Sequence, residues 1–321
     1  MKLHENRQLF ADAVRMTSEL LGIAPEFVEK DYWICQILQN LSRHPDANRI
    51  VWKGGTSLSK AYGLIKRFSS DVDFAILAEG LSQNQQKKLV THIGKDTTKD
   101  LTEKETDETI KNNRYRKTFH LYETIIPERN SRYKFLGNHV IVEINTYGNP
   151  YPYVQKSVCT FITDMMKRQG TDGMIAELDM EPFTLNVLDK RRTLCEKAVS
   201  LLRFSFEDDT IQGLSSKIRH FYDLHFLTHD DECKEYLQTE FPQNLLDLID
   251  HDKREFDRPS LWRDADLRTS ILFTDFDGLW QKIASQYQIE VGALSYSEIP
   301  SKEEIAESTK QLLERIKTII S

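Results

Sequence analysis

Apolar positions at the start of the chain recur at helical spacing. Leu9, Ala13, Met16, Leu20 and Leu21 lay one stripe along residues 5–21, the recurrence expected of a helix with one buried face. After Ala24-Pro25, the positions Phe27, Tyr32, Ile34, Ile37, Leu38 and Leu41 predict a second helix over roughly 25–42. It opens with a proline, in the first turn where a missing N–H is tolerated. His44-Pro45-Asp46 reads as a turn into the short β-type run Ile50-Val51-Trp52. That run ends in Gly54-Gly55, and Thr56 or Ser57 can cap a helix reaching Lys66. A second apolar run, Val72 to Leu77, carries Asp71 and Asp73 in alternation at its front edge.

Residues 79–113 are rich in Gln, Lys, Thr and Glu, which predicts a helix followed by a mobile connection. From Arg114 to Asn145 the texture is β-like, with runs at Phe119–Ile126, Tyr133-Lys134-Phe135 and Val140–Ile144. Pro127 and Gly137-Asn138 supply the turns. The texture shifts after Gly148-Asn149-Pro150, and beyond Leu188 helical spacing dominates. Leu194, Ala198, Leu201 and Leu202 form one stripe; Ile218, Phe221, Tyr222, Leu224 and Phe226 form another. A charged helix over 301–320 places Ile305, Leu312, Ile316 and Ile319 on one face. The pattern predicts an α+β protein: a mixed first domain over 1–188 and a helical domain over 189–321. Trp262, Phe273, Phe276 and Trp280 read as helical core.

Composition narrows the class. The 321 residues carry a formal net charge of -7, so no general basic coat is available for non-specific nucleic-acid binding. The N-terminus lacks the apolar stretch of a signal peptide, and no apolar run approaches membrane length. Four scattered cysteines, Cys35, Cys159, Cys195 and Cys233, read as reduced structural thiols. The expectation is a cytoplasmic protein with no membrane partner.

The chemistry concentrates in Lys53-Gly54-Gly55-Thr56-Ser57 and, after a helix-length gap, Arg67-Phe68-Ser69-Ser70-Asp71-Val72-Asp73. Two glycines after a strand let the backbone approach a bulky anion. The next helix start offers N–H groups and a positive dipole end. Thr56 and Ser57 add hydroxyl donors, so the segment suits a phosphate. Asp71 and Asp73, two apart on a strand, point to one face. Side by side they repel unless a cation sits between them, and Mg²⁺ binds this way while keeping bonds to substrate phosphates. Alone, such an acidic pair is most often solvated surface, and a Gly-Gly most often only a turn. Order and spacing together carry the reading.

The segment from Lys53 to Leu77 resembles the core motif of the AbiEii/AbiGii-type nucleotidyltransferases, toxins of type IV toxin–antitoxin and abortive-infection systems. Glu29-Lys30-Asp31-Tyr32-Trp33 resembles a segment preceding that core. Thr193-Leu194-Cys195-Glu196-Lys197-Ala198 and Lys217-Ile218-Arg219-His220-Phe221-Tyr222-Asp223-Leu224 resemble two later motifs. The resemblance implies a polymerase-β-like nucleotidyltransferase fold, a nucleoside triphosphate donor and Mg²⁺ or Mn²⁺. It implies that Gly55, Thr56 and Ser57, with Gly54 beside them, hold the triphosphate. Asp71 and Asp73 bind metal, Lys197 contacts the triphosphate, and Asp223 completes the site from the helical domain. Arg219-His220 stands where the family often has Arg-Asp.

Glu143, in the apolar run Val140 to Ile144, reads either as a third metal carboxylate or as a solvent-facing residue. Glu143 or Asp223 is the candidate acceptor for the proton of the incoming hydroxyl. Lys53 and Arg67 either neutralise phosphate charge or lie on the surface. The resemblance makes RNA, notably the acceptor end of tRNA, the first candidate acceptor, and a separately encoded antitoxin the candidate protein partner. Lys111, Arg114, Arg116, Lys117, Arg129, Arg132 and Lys134, interleaved with Tyr115, Phe119 and Tyr133, form one candidate RNA patch. Lys190-Arg191-Arg192 forms a second. A protein or small-molecule acceptor, or a catalytically silent nucleotide-binding protein, are the competing readings.

Overall fold

The first apolar stripe becomes α1 (Arg7–Leu21), whose start is capped by Asn6 accepting the Leu9 amide and whose end is closed by Gly22 at φ 67°. The structure is a computed structural model and describes residues 1–126 and 131–321, so Pro127 and Arg129 lie outside the described residues. The chain divides into two compact units, one of residues 1–63 and 68–188, the other of residues 64–67 and 189–321.

The first unit is built on α2 (Pro25–Ser42), which is buried along nearly its whole length. It packs against α1, and against α4 (Gln83–Thr97) and α5 (Phe161–Arg168), and touches the sheet at two strands introduced below. The strands are β1 (Ile50–Lys53), β2 (Asp71–Ile76), β3 (Thr102–Lys104), β4 (Ile110–Lys111), β5 (Tyr115–Leu121), β6 (His139–Asn145), β7 (Tyr153–Val158) and β8 (Phe183–Leu188). They form one sheet of order β3-β5-β6-β2-β1-β8-β7, with β4 paired to β5. The β2–β6 and β1–β8 pairs are parallel and the others antiparallel, so the sheet is mixed as expected. Two further helices are α3 (Gly54–Lys60) and α6 (Asp172–Glu177).

Four local expectations are corrected. The helix after Gly54-Gly55 ends at Lys60, not Lys66, and neither Thr56 nor Ser57 caps it: Lys53 is the N-cap residue, and its side chain makes no capping hydrogen bond. Residues 64–67 leave this unit, which takes them out of any helix continuing from α3. The connection expected within 79–113 contains β3 and β4, short exposed strands whose pairing comes from β5. Tyr133-Lys134-Phe135 lies in a 3-10 helix, Ser131–Leu136, that buries Leu136. The first β run of this region is displaced to Tyr115–Leu121, because one face of β5 is polar and hides its alternation.

The second unit is helical: α7 (Lys190–Phe204), α8 (Thr210–Ser215), α9 (Ile218–His229), α10 (Asp231–Gln238), α11 (Phe241–Glu255), α12 (Ile271–Thr274), α13 (Phe276–Leu294) and α14 (Lys302–Ile320). α9 packs against α7, α13 and α14. Trp262, Phe276 and Trp280 are buried, whereas Phe273 is half-buried. Among the described residues no helix is long and apolar enough to cross a membrane.

Burial of α2 on all sides includes three consecutive ionisable residues. Glu29 accepts the Ile125 amide at 2.6 Å and the Thr124 hydroxyl at 2.8 Å. Lys30 donates to the Leu136 carbonyl. Asp31 pairs with the Lys60 ammonium and accepts the Phe161 amide at 2.8 Å. Lys60 also lies over the Phe161 ring, 4.3 Å from its centroid. Burial is the largest single influence and would lower the Lys60 pKa, but the charge and hydrogen bond of Asp31, together with Cys35 and Cys159, hold the ammonium well above its ordinary value. The pair fixes the end of α3 to α2. Removing one buried partner leaves an uncompensated charge, so Lys60→Ala is expected to cost about 3–5 kcal/mol in denaturant unfolding. The double change Asp31→Leu with Lys60→Met is expected to cost far less. Equal losses in both variants would contradict this account.

Candidate active site

In the first unit, the β1-to-α3 turn passes through Gly54 at φ 84°, a left-handed conformation that favours glycine. A Cβ there would lie 2.2 Å from Asp73 Oδ2, so the absence of a side chain is what admits the Asp73 carboxylate to the start of α3. Gly55, Thr56 and Ser57 follow as buried residues. The Thr56 hydroxyl donates to the Asp71 carbonyl, tying α3 to β2, and the Ser57 hydroxyl donates to the Gly54 carbonyl at 2.8 Å. Both hydroxyls therefore brace the turn.

Sheet register gathers the charged residues. Lys53 on β1 is opposite Asp73 on β2, Asp73 is opposite Glu143 on β6, and Glu143 is opposite Lys117 on β5. Register partners face the same side of a sheet, so these four form one row of charge, and Asp71 shares their face. Tyr115, two residues from Lys117, donates its hydroxyl to Glu143 Oε2 at 2.7 Å. Burial first, then the negative charge of Glu143 and more weakly Asp73, pushes the Tyr115 phenol far up, so it stays a donor. Lys117 is held by Glu108 at 2.7 Å. Asp71 and Asp73 have the all-oxygen chemistry that a hard divalent cation takes together with substrate phosphates. Among the described residues no group of three or more His, Cys, Asp or Glu side chains is arranged to hold a metal; Glu143 lies opposite Asp73 in the register, with Oε2 bonded to Tyr115.

The second unit contains a buried ion cluster. Arg67 reaches Asp223 through two bonds, Nε to Oδ1 at 2.7 Å and Nη2 to Oδ2 at 2.6 Å. Lys197 on α7 meets Asp223 Oδ2 at 2.8 Å. Arg67 is placed by a bridge from its backbone to Ser295 and by the bond of the Lys66 amide to the Tyr222 hydroxyl. The guanidinium is thus buried, which corrects the surface reading of Arg67. Burial would raise the Asp223 pKa, yet Arg67 and Lys197 together hold it below its ordinary value. Burial lowers that of Lys197; Asp223 opposes the shift and Arg67 adds to it. One carboxylate thus faces two cations. His220, next in sequence to Arg219, has an Nδ1 without a hydrogen-bond partner. Its pKa lies well below the ordinary value through burial and the charges of Lys197, Lys217, Arg219 and Arg67, so the ring is neutral.

The basic patches are partly spent. Lys111 pairs with Glu103 at 2.7 Å and Glu105 at 2.6 Å. Lys190 pairs with Asp230 at 2.8 Å, Arg191 with Asp189 at 2.9 Å and Arg192 with Glu196 at 3.5 Å. Arg114 lies near the Tyr147 ring and Arg132 near that of Tyr133. The sequence reading names Arg67 as a residue beside the phosphate cradle and Tyr115 as part of a basic patch, but the bond of Tyr115 to Glu143 and the clamp of Arg67 on Asp223 appear only in the structure. A tyrosine two residues from a lysine on a strand, or an arginine four residues before an aspartate, carries no signal until the register and the partner are known.

The Asp223 cluster makes a pH-dependent contribution to stability. Because its folded-state pKa is depressed, that contribution is complete above the ordinary carboxylate value and disappears as pH falls through the lowered one. Asp223→Asn is expected to cost about 3–5 kcal/mol at neutral pH, since it removes the charge that faces two buried cations. The gap between variant and parent in denaturant unfolding should narrow on the acid side, below about pH 4. A gap that does not change with pH would contradict an ionised Asp223.

The sequence matches the family described as Nucleotidyl transferase AbiEii toxin, Type IV TA system, over residues 36–308. Comparison with curated proteins gives no match. Among solved structures the chain is similar to the nucleotidyltransferase toxin MenT4 from Mycobacterium tuberculosis, with 17% identity, 98% of each chain covered and a TM-score of 0.48. It is also similar to a protein from H. pylori provisionally described as a nucleotidyltransferase, with 16% identity, 90% of this chain and 96% of that chain covered, and a TM-score of 0.40. With the family matched across most of its length, the chain belongs to the AbiEii nucleotidyltransferase toxins of type IV toxin–antitoxin systems.

Proposed function

We propose that this nucleotidyltransferase moves a nucleotide from a nucleoside triphosphate onto RNA, with tRNA the first candidate, using Mg²⁺ or Mn²⁺ held by Asp71 and Asp73. It acts in the cytoplasm as a phage-defence or type IV toxin that a cognate antitoxin restrains. The observation carrying this reading is the Asp71/Asp73 pair on one face of β2 against the Gly54 turn, in a chain of this family.

The metal, when bound, supplies charge neutralisation at the phosphates and at the attacking and leaving oxygens. Gly54 and Gly55 let the triphosphate approach the backbone, and Thr56 and Ser57 keep the turn in shape for it. Lys197, sharing one counter-charge with Arg67, stabilises the departing pyrophosphate. Asp223 orients Lys197; with both oxygens occupied and its pKa lowered, it is poorly suited to receive a proton. Glu143, oriented by the Tyr115 hydroxyl, is the better acceptor for the proton of the incoming hydroxyl. Arg114, Arg132 and Lys134 are the basic residues assigned to the RNA backbone, with Tyr133 a stacking surface; Arg116, opposite Ile144 on the core side of the sheet, is not.

The test is incubation of purified protein with total bacterial RNA, Mg²⁺ and each nucleoside triphosphate labelled at its α-phosphate. Label is expected in a discrete RNA band, and Asp71→Ala or Asp73→Ala should lower the rate by at least about 100-fold, the scale of a lost electrostatic group in a transition state. Full labelling by either variant would remove the metal role of the pair. Absence of label in RNA, with triphosphate binding intact, would redirect the assignment to a protein or small-molecule acceptor.

A further inference from the structure

Outside this machinery, α9 carries His225 and His229 four residues apart, so the two rings rise from one helix face. Their centroids are 4.5 Å apart and their planes are inclined by 36°. The hydrogen bonds fix where each ring carries its proton. His229 Nδ1 lies 2.6 Å from the His225 carbonyl, which only accepts, so this Nδ1 is protonated. His225 Nδ1 lies 3.0 Å from Ser308 Oγ on α14. The Ser308 hydroxyl gives its own hydrogen to the Ile305 carbonyl at 3.1 Å and therefore accepts from His225. Both neutral rings then present the lone pair of Nε2.

We propose that His225 and His229 form a binding site for a first-row divalent cation of the Zn²⁺ class, ligated through both Nε2 atoms with water in the remaining positions. Histidines at this helical spacing can reach one ion together. Each ring has its Nδ1–H held by an acceptor, the outer-shell arrangement that orients metal-binding histidines. Burial and His229 lower the His225 pKa, against the Glu304 charge and a hydrogen bond of the ring to the Glu304 backbone, and the net lowering favours the neutral ring a metal requires. Glu304 also interacts with His229, adding negative charge beside both rings. His229 and Ser308 line a cavity of about 280 Å³ that gives solvent access. The cationic residues lining that cavity are engaged: Lys234 with Asp231 at 3.1 Å and Arg315 with the Leu237 carbonyl at 2.9 Å. Among the described residues no third His, Cys, Asp or Glu completes a ligand set, so the site is open to water. Imidazole favours zinc-class ions and carboxylate favours magnesium, which separates this site chemically from the Asp71/Asp73 pair.

The experiment uses the full chain labelled with ¹⁵N, observed by long-range proton–nitrogen correlation of the imidazoles. Both rings are expected as the Nδ1–H tautomer at neutral pH. One equivalent of Zn²⁺ should shift both Nε2 resonances and raise the thermal unfolding midpoint, because the ion binds the native state. Millimolar Mg²⁺ should do neither. A His225→Ala, His229→Ala double variant should bind Zn²⁺ at least tenfold more weakly by calorimetry. Nε2–H tautomers in the parent protein, unshifted Nε2 resonances, or Zn²⁺ affinity retained by the double variant would overturn the site.

Discussion

A charge taken out of water must find a partner or be neutralised, and this constraint sets the positions of much of the first unit. α2 brings Glu29, Lys30 and Asp31 into the interior side by side, with no face left to return them to solvent. Each therefore requires a different neighbour: the chain at Thr124 and Ile125, the carbonyl of Leu136, and the ammonium of Lys60 with the amide of Phe161. Sliding α2 by one residue would break all of these at once. A greasy helix of the same length could settle in several registers; this one is specified by its polar contacts, and α3 is specified with it.

The sheet applies a second constraint to the same region. Its alternation sends Trp52, Val72, Phe74, Val142 and Ile144 to one side as core, and leaves Lys53, Asp71, Asp73, Glu143 and Lys117 together on the other. Carboxylates on adjacent strands repel, and the flanking lysines and the Tyr115 hydroxyl moderate that repulsion. Gly54 completes the arrangement by having nothing where Asp73 needs room. A concentration of negative charge is thus held by a rigid element, beside a turn fixed from both sides, which keeps the groups in place at the cost of local electrostatic strain.

The long helices were legible because their apolar spacing repeats over several turns: α1 and α2 lie almost where residues 5–21 and 25–42 predict. β1, β2 and β6 were legible because their apolar runs are bounded by glycine, proline or charge. β7 and β8 were not, since Tyr153–Val158 carries Gln155 and Lys156 and gains its strand character only by pairing with β8. The candidate residues Gly54, Asp71 and Asp73 are local in sequence and could be read as a motif. The partners of Asp223 and Glu143 are not: a carboxylate in a helix looks the same whether it meets water or an arginine 156 positions away. The pairing within the basic clusters was hidden for the related reason that nothing in the sequence marks Glu103, Asp230 and Asp189 as the partners of Lys111, Lys190 and Arg191.

The assignment of residues 64–67 to the helical unit has a consequence for how the protein is made. Arg67 is synthesised 156 residues before the carboxylate that it grips. At typical translation rates of about 5–20 residues per second, its guanidinium waits roughly 8–30 s for Asp223 to be added to the chain. The first strands can assemble during that interval, but the ion cluster of the helical unit cannot close. That unit is not one continuous stretch of gene: a reading frame beginning at residue 189 would encode every helix from α7 to α14 and still lack the arginine that grips Asp223.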